Sequence, residues 1–72
     1  MDRPQLSVVI PLFNEEENVQ PLLDELFAEL AKLGRTYEVI CVDDGSRDDT
    51  FASLAKIAAH KTELRVIRFR LN

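Results

Sequence analysis

Apolar and polar positions along the chain fall into blocks whose period switches back and forth between two and three-to-four. Leu6 to Phe13, LSVVIPLF, is a short apolar run rich in β-branched residues, the pattern of a strand buried on both faces. Pro11 has no N–H to donate, so regular pairing is expected to falter there and the chain to turn outward. In the segment that follows, NEEENVQPLLDELFAELAKLG, Val19, Leu22, Leu23, Leu26, Phe27, Leu30 and Leu33 recur at steps of three and four and form one face of a helix. Asn18 is the expected N-cap, which puts Pro21 in the first turn, and Asn14 is an earlier alternative. Gly34 suits the left-handed backbone that ends such a helix. Tyr37 to Val42 reads as a second strand. Ser46 is the expected N-cap of a shorter helix, with Asp49 completing a capping-box variant. Phe51, Leu54, Ala55, Ile57 and Ala58 give that helix its apolar face, to about His60. Leu64 to Leu71 reads as a third strand.

The order βαβαβ with short connections predicts an α/β fold with a parallel sheet and right-handed crossovers. Residues 1–72 hold one domain at most, near the lower size limit for a self-sufficient core. Two helices cover one face of a three-stranded sheet but hardly both, whereas the strands are of a buried type. The chain therefore reads as part of a larger domain.

Composition narrows the classes. Apolar residues make up 46% and charged residues 31% of the 72, which suits a globular fold rather than disorder. No apolar run approaches the roughly 18 residues of a membrane span, and no secretory signal is visible. The single Cys41 lies inside an apolar run, so it reads as a buried thiol and excludes an internal disulfide framework. The net charge of −4 argues against a nucleic-acid partner. Basic residues gather late, as Arg65, Arg68 and Arg70, and fit a solvated strand face or phosphate contacts.

In an open parallel sheet, ligands bind beyond the carboxyl ends of the strands. Two acid-bearing corners fall there, PLFNEEEN after the first strand and DDGS after the second. Neither holds a glycine-rich phosphate fingerprint, and acids at that place would repel phosphate. A carboxylate at a strand end is suited instead to neutral donors such as a nucleobase imide N–H or ribose hydroxyls. A pyrimidine ring could lie against Phe13 and the Pro11 backbone. Gly45 permits a sharp turn, and either Asp43 or Asp44 can accept from the start of the next helix while the other faces the ligand. DDGS taken alone could equally be an acidic turn and helix cap.

Together, SVVIPLFNEEENVQPLL and YEVICVDDGSRDDT resemble the start of family 2 glycosyltransferases with the GT-A fold. They look like the branch typified by dolichyl-phosphate mannose synthase and bactoprenol glucosyltransferase. The resemblance covers nearly the whole chain. It implies the N-terminal, nucleotide-binding part of a Rossmann-like GT-A fold with strand order 3-2-1. Pro11, Phe13, Asn14, Glu15, Asp43, Asp44, Gly45 and Ser46 would then surround the nucleoside, with Asp44 on the base N–H. Phe13 stands where the family more often has tyrosine, so the ring face is kept and the hydroxyl is not.

The resemblance further implies a UDP- or GDP-type nucleotide-sugar donor, a polyprenyl-phosphate acceptor and a cytoplasmic location, the parent enzyme sitting at the cytoplasmic face of a membrane. It also implies a divalent metal, Mg or Mn, held by a D-x-D motif that this sequence lacks, so the chain alone is expected to be inactive. An unpaired outer side of the first strand would favour self-association. A flavodoxin-like receiver carries paired acids after its first strand and a nucleophilic aspartate after its third; here those places hold PLFNE and Leu71-Asn72. An α/β interaction module without transferase activity is the remaining alternative.

Overall fold

The computed structural model describes residues 3–69. The elements follow the predicted order: β1 (Leu6–Leu12), α1 (Glu16–Ala31), β2 (Tyr37–Asp44), α2 (Thr50–Ala58) and β3 (Leu64–Phe69). Arg70 and Leu71, which the apolar pattern assigns to the third strand, lie outside the described residues. All pairings are parallel and β2 is central. Two successive right-handed crossovers in the same direction place both helices on one side of the sheet.

The strands alternate accordingly. Val8, Ile10, Leu12, Val39, Cys41, Leu64 and Val66 face the helices and pack with Val19, Leu23, Leu30 and Leu54. On the other side Val9, Ile67 and Phe69 are 61%, 45% and 54% exposed. The expectation that the strands are buried on both faces therefore does not hold among the described residues, where only one face has a cover. This open face has a polar end and an apolar end. Ser7 donates to Glu38 (2.6 Å), which also pairs with Arg65 at 3.6 Å. Further along lie Val9, Ile40, Pro11, Val42 and Ile67, adjacent by register.

Three local expectations are corrected. First, pairing does not falter at Pro11: the ladder runs on through Pro11–Val42 and Leu12–Asp43. The Leu6 N–H reaches back to Thr36 O on the β2 side. N–H groups alternate sides along a strand, so the one Pro11 lacks would point away from β2 and its loss breaks no bond. Second, α1 begins at Glu16 with Glu15 as N-cap, which places Pro21 inside the helix rather than in its first turn. Asn18 bonds the Glu15 carboxylate instead of capping (2.7 Å), and Asn14 sits at φ 52. Third, α2 begins at Thr50 with Asp49 as N-cap, not Ser46. Gly34 does adopt the expected positive φ, 65°.

Candidate functional site

The carboxyl ends of β1 and β2 lie side by side, with Leu12 in register with Asp43. Beyond them the chain makes two corners, at 13–15 and 45–49, and hydrogen bonds lace the two together. Asn14 enters a left-handed conformation, which asparagine tolerates better than most residues. There its side-chain oxygen accepts the Arg47 N–H at 2.9 Å. In return the Asn14 N–H donates to Ser46 Oγ (2.9 Å), the Glu15 N–H to Thr50 Oγ1 (2.8 Å) and the Glu16 N–H to Asp48 Oδ2 (3.3 Å). A helix leaves its first N–H groups without internal partners. At the start of α1 those of Glu15 and Glu16 are met by side chains that precede or begin α2.

Asp43 is fully buried. Its Oδ1 accepts the Ser46 N–H (3.0 Å), closing a turn in which Gly45 takes φ 81. Its Oδ2 makes no hydrogen bond among the described residues and lies 3.7 Å from Arg68 Nε. Asp48 accepts both the Thr50 hydroxyl and the Thr50 N–H. The Thr50 hydroxyl is the main cause that holds the Asp48 carboxyl below the usual carboxylate range, with the backbone bonds from Thr50 and Glu16 adding to it against some desolvation.

Asp44 is the neighbour on the opposite face. It closes β2 on the open side of the sheet, exposed and in register with Phe69. Pro11 is exposed on the same side and Phe13 is 50% exposed beyond it. A carboxylate here stands beside apolar surface, an arrangement that can accept from a neutral N–H or hydroxyl while a flat ring rests on hydrocarbon.

The match to the protein-family model described as "Glycosyl transferase family 2" covers residues 7–72. This chain belongs to that family. It is 42% identical over 71 residues to the undecaprenyl-phosphate 4-deoxy-4-formamido-L-arabinose transferase of Pectobacterium atrosepticum, covering 99% of this chain and 21% of that protein. It is 36% identical over 69 residues to the dodecaprenyl-phosphate galacturonate synthase of Rhizobium johnstonii, covering 94% and 20%. Its fold matches a mannosyltransferase from Pyrobaculum calidifontis, solved in complex with GDP-Man and Mn2+, with TM-score 0.67 and 23% identity over 96% of this chain and 20% of that one. The architecture is thus the Rossmann-like GT-A arrangement that the resemblance implied. The glycosyl transferase chain described here spans about a fifth of the curated relatives it matches.

Within this family 2 chain the eight sequence-derived candidates separate into two groups. Asn14, Asp43, Gly45 and Ser46 build the corner, and their polar atoms are largely spent on it. Pro11, Phe13 and Asp44 face solvent. Glu15 is intermediate, with its N–H held by Thr50 and its carboxylate accepting from Asn18. Asp48 and Thr50 complete the corner without having been singled out, and Arg68, which the sequence offers as part of a solvated strand face or as a phosphate contact, stands against Asp43. The pattern S-x-D-x-T, short oxygen-bearing side chains at alternate positions, was the available signal for the first two. It reads as capping of the helix it precedes, where Asp48 does take the Thr50 N–H, but it also serves the start of α1.

A depression of about 170 Å³ lined by Asn14, Glu15, Glu17, Asn18 and Asp48 lies over the corner, below the roughly 300 Å³ at which ligand pockets begin. The described residues form an open surface here rather than an enclosed cavity. A larger cleft of about 430 Å³ opens between α1 and α2, lined by Phe27, Lys56, Ile57, His60 and Lys61 among others, and sits on the helix side of the sheet. For the divalent metal implied by the resemblance the residues present do not fit: among the described residues no three His, Cys, Asp or Glu side chains are grouped to hold an ion.

Proposed function

We propose that this segment is the nucleoside-binding wall of a glycosyltransferase that moves a sugar from a UDP- or GDP-type donor to a polyprenyl phosphate. The observation that carries the reading is the division of labour between adjacent aspartates. Asp43 is buried and closes the loop, while Asp44 is exposed on the open face near Pro11 and Phe13. The nucleobase rests on Phe13 and the Pro11 backbone, and Asp44 accepts its N–H. Asn14, Glu15, Gly45 and Ser46 keep these groups in place. The relatives named for undecaprenyl and dodecaprenyl phosphates support the acceptor class. A lipid-phosphate acceptor implies work at the cytoplasmic face of a membrane. No described helix is long and apolar enough to cross one. A divalent metal, Mg or Mn, belongs to a D-x-D pattern this sequence does not contain.

Calorimetric titration with UDP and GDP tests the reading. By itself the chain is expected to bind at roughly millimolar or weaker, about 4 kcal/mol or less, and to transfer no sugar. In a protein that carries this segment with the rest of its domain, Asp44→Ala should lose about 1–3 kcal/mol of nucleotide affinity, the cost of orphaning a buried N–H. Unchanged affinity in that variant rules the assignment out. We also propose that copies of the chain associate through the outer edge of β1.

A further inference from the structure

Asp43 poses a physical problem that its own loop does not solve. A carboxylate removed from water needs an opposite charge or hydrogen bonds to both oxygens. Among the described residues only Oδ1 has a hydrogen bond, from the Ser46 N–H. The cation that faces Oδ2 comes from β3: Arg68 Nε stands 3.7 Å away. Its guanidinium carbon sits over the Phe51 ring at the start of α2, 4.6 Å from the ring centre. A planar, delocalised cation suits such stacking better than an ammonium does.

The contacts form a continuous relay. Arg68 neutralises Asp43, Asp43 fixes the Ser46 N–H, and Ser46 Oγ receives the Asn14 N–H at 2.9 Å. One end of the relay is on the third strand and the other is in the loop after the first. We propose that Arg68 is a positioning residue for the nucleoside-facing corner. Through the buried Asp43 carboxylate it sets the Gly45–Ser46 turn and Asn14, and hence where Asp44 and Phe13 stand on the open face. This role rests on the reading of that corner as a nucleoside wall, although its mechanical part does not.

Amide hydrogen exchange on the chain separates the two. Val39 donates to Glu63 O inside the sheet (2.8 Å) and reports general loosening. Arg68→Met should speed exchange at Ser46 and Asn14 about tenfold more than at Val39, because a buried carboxylate loses the cation beside it. Arg68→Lys should fall between, keeping the charge without the stacked plane. In an Asp43→Asn background, Arg68→Met should add nothing at these two amides. Equal acceleration at all three amides, or an undiminished Arg68→Met effect without the Asp43 carboxylate, overturns the proposal. UDP and GDP titrations of the same samples, read at the Phe13 and Asp44 amides, keep the readings apart. Shifts in the wild type that weaken in Arg68→Met support both. A silent wild type leaves the nucleoside reading to the Asp44→Ala titration in the longer protein, and Arg68 is decided by exchange.

Discussion

Cys41 sits beneath the helices, fully buried, and burial pushes its thiol up to about 11 from 9.0. The protonated form is therefore favoured in the folded chain. Its stabilising contribution is complete below pH 9 and is lost as pH rises toward 11. Urea titrations of the wild type and Cys41→Ala should show the gap between them narrowing across that window, with little reaction of the native thiol at pH 8. Asp48 carries the opposite sign. With its carboxyl held below 3.8, mainly by the Thr50 hydroxyl, its contribution is present above that value and is lost as pH falls through the folded one. Asp48→Asn should have a shallower acid limb below pH 4 when unfolding is followed by circular dichroism. An unchanged limb would show that the Asp48–Thr50 bond does not survive in solution.

Among the elements, α1 illustrates what a sequence carries and what it withholds. The spacing of Val19, Leu23, Leu26, Phe27 and Leu30 places the helix and its buried face, because a period of three to four is a local property. Its start is not local. The groups that meet the Asn14, Glu15 and Glu16 N–H lie 32 to 35 residues further on, so reading outward from the helix leads to Asn18 or Asn14 and misses Thr50. Pro11 is a similar case: whether its missing N–H matters depends on which side of β1 it would face, and pairing with β2 decides that. The acid pair was legible as a pair with divided roles. The partner of Asp43 on β3 was not, since nothing in the DDGS stretch points to Arg68. Thr50 is wholly buried, and Thr50→Val keeps its shape while removing the acceptor for Glu15. Chemical denaturation should register a loss of about 0.5–2 kcal/mol, the range of an N-cap deletion.

For the molecule as a whole, the outer edges of β1 and β3 and the open face have no partners among the described residues. On β3, Arg65 and Arg68 would set like charges against a second copy. The edge of β1 carries no such charges. The alternation that spares Pro11 also directs the Ser7 and Val9 N–H groups outward, and such an edge is a template for another strand. Pro11 shortens the usable stretch, so the most economical pairing is a two-fold antiparallel one centred on these residues. Sedimentation at rising concentration should show dimers in the wild type, and Val9→Pro, which removes an outward donor, should return monomers. A wild type that remains monomeric at high micromolar concentration rules out the edge contact. The lacing of the two corners also has a consequence in time. A chain made from its N-terminus holds all of α1 well before Ser46, Asp48 and Thr50 exist. Until they arrive, the Glu15 and Glu16 N–H groups at the start of that helix have only water. Bonds across such separations form late in folding, because the intervening loop must close first. The corner proposed to meet the nucleoside is therefore expected to be among the last parts to set, and it does so in the step that joins the second half of the segment to the first.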